Sequence, residues 1–419
     1  MKNKYWLLLS FLFLGLNISC KKNNAPKPDN TVKECTSPPT LDWENSFLIQ
    51  NIRVSGIDAI RHDIFGNIYL AGNLEGSTTF GEIALVGAGP FICKMDSNGK
   101  FIYAQKISVL TSPVTRLELE VDSSQNVFIG YSTIDQVDNG IVFNLSKYDV
   151  SGALFWNRQI NTGASQKISS IVKTDKTGNV YIGGFYSNGA GAIDFDPGTG
   201  VTNLPGGTGF LEVLDKNGNF VWVKQVDANI NKSFQTSPSG VIYITELQDI
   251  ATRIVYAIQR INDDGTSGKL IKLPYEKDDA LYIDYKENFY LSNFETIKKF
   301  DGNANLVLQT KSYSFEFLNF DSKGNMYVSG RFNGTVNFDS THSLTASGPV
   351  DSFLEKIDDQ GKIVWVAQTL GAKGTNYTSL SIINAFGIVD SGGIYVVGSI
   401  VNNTTGNDDF YIAQYKQCN

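Results

Sequence analysis

The chain has 419 residues, 12% of them aromatic, with 35 lysines and arginines against 42 aspartates and glutamates, for a net charge of −7. An acidic chain without a basic block excludes nucleic-acid binding, which needs clustered Lys and Arg, and adsorption to anionic lipid head groups. Only two histidines, His62 and His342, are present, and neither sits in a motif that serves a Ser-His-Asp mechanism or a metal helix.

In chain order, residues 1–19 read as a leader. Lys2 and Lys4 are followed by an apolar run from Tyr5 to Leu16, too short to span a bilayer and flanked as a signal peptide is. Asn17-Ile18-Ser19-Cys20 resembles the lipobox of bacterial lipoproteins, whose cysteine is lipidated, although Leu16 stands one place early. The expectation is a lipid anchor on Cys20, and loss of Lys2 and Lys4 with the leader moves the charge from −7 to −9. Residues 20–42 are polar, with Pro26, Pro28, Pro38 and Pro39, and read as a flexible tether. Residues 43–419 form the folded part, long for one domain unless it is built of repeats.

Three short patterns recur there in a fixed order. The first is Asp63-x-x-Gly66-Asn67-x-Tyr69, repeated from Asp175 to Tyr181 and from Asp321 to Tyr327. Degraded copies put Phe128, Tyr243, Tyr290 and Tyr395 at the aromatic place, making seven. The seventh takes Asp390 as its turn. The second pattern is basic–apolar–Asp-x-x-Gly, as in Lys94-Met95-Asp96 to Gly99, Lys147-Tyr148-Asp149 to Gly152, and Lys356-Ile357-Asp358 to Gly361. Asp first and Gly fourth suit a tight turn between strands. The third is a bulky apolar residue three places before Gln: Trp156/Gln159, Trp222/Gln225, Trp365/Gln368, Ile102/Gln105 and Leu306/Gln309.

The intervening segments are short and rich in Val, Ile, Tyr and Phe, without helical spacing. Each unit offers about four strands, which is one propeller blade. The last unit lacks room for its fourth strand, and Phe47–Gln50 fits the third pattern ahead of the first unit. The expected fold is therefore all-β: a seven-bladed β-propeller whose N-terminal strand completes the last blade and removes two open edges. That closure brings Cys35 and Cys418 together. A disulfide between them is one expectation in an oxidising compartment, two free thiols the other. Cys93 falls inside a strand as a buried, inert thiol.

The Asp-x-x-Gly-Asn-x-Tyr strand and the Lys-x-Asp-x-x-Gly hairpin with Trp resemble the SBBP repeat family, named for seven-bladed propellers. The resemblance runs from about Trp43 to the C-terminus, strongest in units one, three and six, and Asp194-Phe195-Asp196-Pro197-Gly198 is similar to a motif within such repeats. It implies a lipoprotein of the bacterial cell envelope, in the outer membrane and facing either the periplasm or the outside. It brings no catalytic residues.

Asp194 and Asp196 with Gly198 and Gly200 have a calcium-loop look, but no further carboxylate or closing Glu follows. The sixth unit aligns Asn337-Phe338-Asp339 and the first Phe80-Gly81, so the recurring member is a packing phenylalanine. A structural hairpin is expected, with no metal and no cofactor. Both histidines lie beside turns and read as surface residues. Glu118 and Glu120 are the only alternating acids on an inner strand, read as solvated channel residues. Two places before each turn Asp stand Arg61, Glu120, Lys173, Gln235, Tyr282 and Asn319, while Ile60, Leu119, Val172, Phe234, Leu281 and Leu318 stand one place earlier. Polar beside apolar in register puts one set at the axis and the other between blades. The polar ring is the expected ligand surface. Three functions are compatible with this: a monomeric, non-catalytic module binding protein or glycan, an enzyme acting on glycan or lactone over the channel, and a structural part of an envelope complex.

Overall fold

The computed structural model describes residues 36–417 except 50–56, 64, 108–116, 135–139, 165–167, 187–192, 205–208, 227–233, 251–252, 276–279, 294, 348, 370–376, 390–391 and 403–407. The chain divides at Cys35, and the second unit is Thr36–Asn419. Cys20, Cys35 and Cys418, with the lipidation and disulfide expected of them, lie outside the described residues, as do Gln50 and Asp390.

Seven four-stranded antiparallel sheets make the seven blades. Their innermost strands are, in order, Ile57–His62, Glu118–Val121, Ile168–Thr174, Phe234–Thr236, Ala280–Ile283, Phe315–Phe320 and Tyr377–Ile388. The outermost strand of blade 7 is Thr40–Ile49, paired antiparallel with Asp408–Lys416 so that Phe47 faces Ile412 and Ile49 faces Phe410. The first strand thus closes the last blade. It begins at Thr40 and so takes in the last three residues of the stretch read as tether, where Asp42 forms an ion pair with Lys416.

Seven apolar clusters among the described residues lie one at each blade–blade boundary. Ile60, Leu70 and Phe91 of blade 1 pack with Tyr395, Val397 and Ile412 of blade 7. Tyr69 and Ile92 on the other face of blade 1 pack with Leu119 and Ile129 of blade 2, and the alternation continues round the ring. The period-two pattern of each strand therefore serves two interfaces at once. The repeated aromatic always faces the following blade, and Ile60, Leu119, Val172, Phe234, Leu281 and Leu318 always face the preceding one.

The Asp–Gly–Asn–Tyr repeat is a hydrogen-bond hub. In blade 5 Asp284 is fully buried. Its Oδ1 accepts the backbone N–H of Lys286 (2.8 Å) and Asn288 (2.9 Å), and its Oδ2 accepts Asn288 Nδ2 (2.8 Å) and the Tyr290 hydroxyl (2.9 Å). Asp63, Asp175 and Asp321 make the same set. The lysine of the second pattern lies opposite the same aromatic: Lys94 over Tyr69 (5.1 Å), Lys147 over Phe128 (4.9 Å), Lys299 over Tyr290 and Lys356 over Tyr327 (both 5.5 Å). These lysines are buried, so the ring faces partly replace lost water. An Asp284→Ala change strands a buried tyrosine hydroxyl and three N–H donors. It is expected to cost about 3 kcal/mol, read as a lower urea midpoint at unchanged slope, with Asp284→Asn keeping part of the loss back.

Two sequence expectations need correction. The seventh turn opens on Val389, one residue before Asp390: its N–H bonds Gly393 O (2.9 Å) and its carbonyl accepts Gly392 N (2.8 Å), as Asp63 does with Asn67 and Gly66. The apolar-x-x-Gln pattern is in register only in units two, three and six, where Trp156, Trp222 and Trp365 lie opposite Lys147, Val213 and Lys356. In units one and five Tyr103 and Leu308 hold the tryptophan place, and in the closing strand Asp42 lies opposite Gln414. The same bulge follows the lysine place in all five of these units, so the place opposite it always lies seven residues after the hairpin aspartate, and aligning on the glutamine put Ile102 and Leu306 there wrongly. Nor does the glutamine have one role: Gln159 bonds Asn144 Oδ1, and Gln368 bonds Asp351.

Candidate functional site

The first turn of every blade opens at one end of the ring, because each inner strand runs toward it and each second strand runs away. There, side chains of all seven blades surround a cavity of about 490 Å³. Glu120, Gln235, Tyr282 and Asn319 of the expected ring line it, with His62, Lys176, Ser237 and Tyr285. Arg61 and Lys173 stand behind Glu120. Arg61 Nε and Nη2 reach Glu120 Oε2 and Oε1, each at 3.3 Å, and Lys173 Nζ pairs with Glu120 Oε1. One carboxylate thus ties blades 1, 2 and 3. Burial pushes the Glu120 carboxyl up, but Arg61 and Lys173 outweigh it and hold it below the usual range.

The remaining members are also anchored across blades. Asn319 Nδ2 donates to Phe386 O of blade 7 (2.9 Å). Tyr282 packs edge-on against Phe315 of blade 6, ring centroids 5.7 Å apart, and burial pushes its hydroxyl up to about 12. The seventh ring place, two before Val389, is Gly387. A Cβ there would come within 2.6 Å of the His62 ring, so His62 lies where the other blades present a side chain of their own. A second cavity of about 170 Å³ opens beside it, walled by Arg61, His62, Asn319, Phe386 and Tyr395.

Of the six ring residues, four line the cavity wall, and Arg61 and Lys173 lie off it, paired with Glu120. His62 is not a surface turn histidine: it lines the mouth. Sequence reading missed it because the glycine that admits it is on the last blade, more than three hundred residues along. Lys176, Ser237 and Tyr285 were missed as well. The turn positions just after each inner strand were the signal for them. His342 is bound in a hairpin, its Nδ1 2.9 Å from Asp339 Oδ2. Cys93 is buried and free, and burial pushes its thiol up.

No family model and no curated protein sequence matches the chain. Solved structures do. They include the WD40 domain of SCAP from fission yeast, at 10% identity and a TM-score of 0.40, covering 92% of each chain. A protein of unknown function from Dyadobacter fermentans matches at 9% identity and 0.41, over 91% of this chain and all of that one. An acylaminoacyl peptidase from Pyrococcus horikoshii matches at 11% and 0.48, over 87% of this chain and 51% of the peptidase. This chain therefore spans about half the peptidase's length. At such identities the likeness concerns the fold alone.

Proposed function

We propose that the protein is an exported, lipid-anchored propeller of the bacterial cell envelope that binds a protein or glycan ligand at the channel mouth and performs no chemistry on it. The ion triad carries this reading. A glycan-cleaving site needs two carboxyl groups about 5 to 9 Å apart, one of them kept protonated. Among the described residues four acids line the mouth: Asp63, Asp122 and Asp175 are each held by the N–H groups of their own turns, and Glu120 is bound by two cations that keep it ionised. Such a group orients a ligand's polar atoms and fixes the blades, but it gives no proton. The polar side chains at the mouth, with Tyr282 and Tyr285 among them, suit a ligand recognised by hydrogen bonds and flat apolar faces.

The test is a glycan array and a pull-down with the full chain, followed by titration of any hit. Arg61→Ala and Lys173→Ala should each weaken it at least about tenfold, the scale of one charged hydrogen bond, with melting curves run alongside to show that the ring remains closed. Unchanged affinity in both variants clears the ion triad of a role, unchanged affinity in Gln235→Ala and Tyr282→Ala as well clears the mouth, and release of shortened glycan identifies an enzyme. Labelled palmitate should enter the wild type and not Cys20→Ala. Equal labelling removes the lipid anchor from the proposal.

A further inference from the structure

The ring of inner-strand positions is filled unevenly. Between blades 1, 2 and 3 the Arg61–Glu120–Lys173 ion triad occupies it. On the other side of blade 1 the matching position of blade 7 is Gly387, which brings no side chain. The gap it leaves is the cavity of about 170 Å³ beside His62. Blades 6, 7 and 1 all contribute to its wall, and it adjoins the mouth at His62 and Asn319, which line both.

Two kinds of surface meet in this pocket. Ile60, Ile68 and the rings of Phe386 and Tyr395 make the apolar part. Ile60, Ile68 and Tyr395 belong to one packed cluster, which fixes that wall. The Tyr395 hydroxyl donates to Ser97 O (3.2 Å) and accepts Gln414 Nε2 (3.0 Å), so only its ring is left for a guest. The polar part is Arg61, His62 and Asn319. Arg61 gives Nε and Nη2 to Glu120 (each 3.3 Å) and Nη1 to Ile60 O (2.8 Å). A guanidinium carries more N–H groups than these bonds use, so each Nη keeps a hydrogen to donate. Asn319 Nδ2 donates to Phe386 O (2.9 Å), and among the described residues nothing donates to its Oδ1. Donors from blade 1 and an acceptor from blade 6 thus border one small space between apolar walls.

Size and charge select the guest. A cavity of about 150 Å³ takes one benzene-sized ring, so this one admits a single six-membered ring whose substituents reach into the mouth. A purely apolar ring would strand the Arg61 N–H groups and the Asn319 oxygen, and polar groups shut away from water without partners cost free energy. A ring with hydroxyls on its edge and C–H groups on its faces satisfies both surfaces. No formal charge is called for. Arg61 and Lys173 are balanced by Glu120 and by Glu118, which stands two places earlier on the same side of the strand and acts on Arg61. An acidic guest would find no surplus of positive charge there.

We propose that this pocket holds one neutral pyranose residue, so that the ligand of the mouth is a glycan with an uncharged sugar at an end or branch. The inference rests on the mouth being the binding surface and narrows the two ligand classes of that reading to one. Arg61 donates to the sugar's hydroxyls, Asn319 Oδ1 accepts from one of them, and the Phe386 and Tyr395 rings pack against its C–H faces. His62 stands at the rim, in the room that Gly387 leaves for it. The rest of the glycan lies across the wider cavity, where Gln235, Tyr282 and Tyr285 meet it.

The experiment is saturation-transfer NMR on the full chain with methyl glycosides of glucose, galactose, mannose and N-acetylglucosamine, beside glucuronate and N-acetyltyrosinamide. At least one neutral glycoside should receive saturation, with a Kd of about 1–10 mM. Gly387→Ala sets a Cβ within 2.6 Å of the His62 ring and crowds the pocket, and Asn319→Ala removes the acceptor. Each should weaken that glycoside at least about tenfold. Asn319→Ala decides the matter if melting curves show that Gly387→Ala does not fold. The pocket is overturned if no neutral glycoside binds, if glucuronate or the tyrosine amide binds in their place, or if binding is the same in both variants. A glycan-array hit weakened by Gln235→Ala and Tyr282→Ala but not by these two variants would also overturn it, while leaving the mouth as the binding surface. A hit indifferent to all four removes both.

Discussion

Deleting Thr40–Ile49 is expected to abolish cooperative unfolding of the ring, with Tm lowered by more than about 10 °C and a rise in light scattering. The deletion removes the strand that caps Asp408–Lys416 and uncovers a row of backbone N–H and C=O groups, which is a template for pairing with another chain. It also thins the cluster between blades 6 and 7, where Leu41 packs with Tyr411 and Tyr415. In a closed ring every blade has two neighbours, so loosening one blade weakens two interfaces together. A peptide of residues 36–50 added back should restore part of the lost stability. Unaltered melting of the deleted chain would mean that blade 7 is sufficient with three strands.

The second large effect concerns pH. Glu355 is nearly fully buried, and burial, then Asp339, pushes its carboxyl up to about 8. An unfolded Glu titrates near 4.3. Between those values the folded chain holds a proton that the unfolded chain has released, so stability is greatest below the unfolded value and falls as pH rises through 8. Urea melts at pH 5.5 and 8.5 should differ by about 3 kcal/mol more in the wild type than in Glu355→Gln. The glutamine, uncharged at both, should also be the more stable protein at pH 8.5. Parallel pH profiles for the two chains would show that Glu355 ionises normally in the fold.

The ring was legible in the sequence because its determinants are local. An aspartate and the tyrosine six residues later meet within one turn, and the same seven-residue unit, whole or degraded, recurs in each blade. Counting back from that aspartate also located Arg61, Glu120 and Lys173, since a strand fixes the direction of every second side chain. What spacing could not convey was how one side chain crosses to another blade. The ion triad joins residues more than fifty positions apart, and nothing in any single unit announces it. Blade 7 was misread because Val389 replaces the aspartate, leaving only backbone bonds to mark the turn. Glu212, fully buried in blade 3, escaped attention for a related reason. It lies across the sheet from the hairpin that pairs Asp194 with Asn203, on the next strand, where no spacing along the loop points to it. The Trp–Gln pattern was misaligned in units one and five because it was counted from the glutamine and not from the hairpin aspartate, from which the spacing is constant.

Gly387 has one further effect. Six of the seven ring positions carry a polar side chain, and the seventh is a bare backbone against which a neighbour's imidazole leans. A perfectly repetitive ring would accept a guest in any of seven rotational settings and pay for that freedom in selectivity. This one has a marked azimuth, so whatever enters can be seated in one orientation.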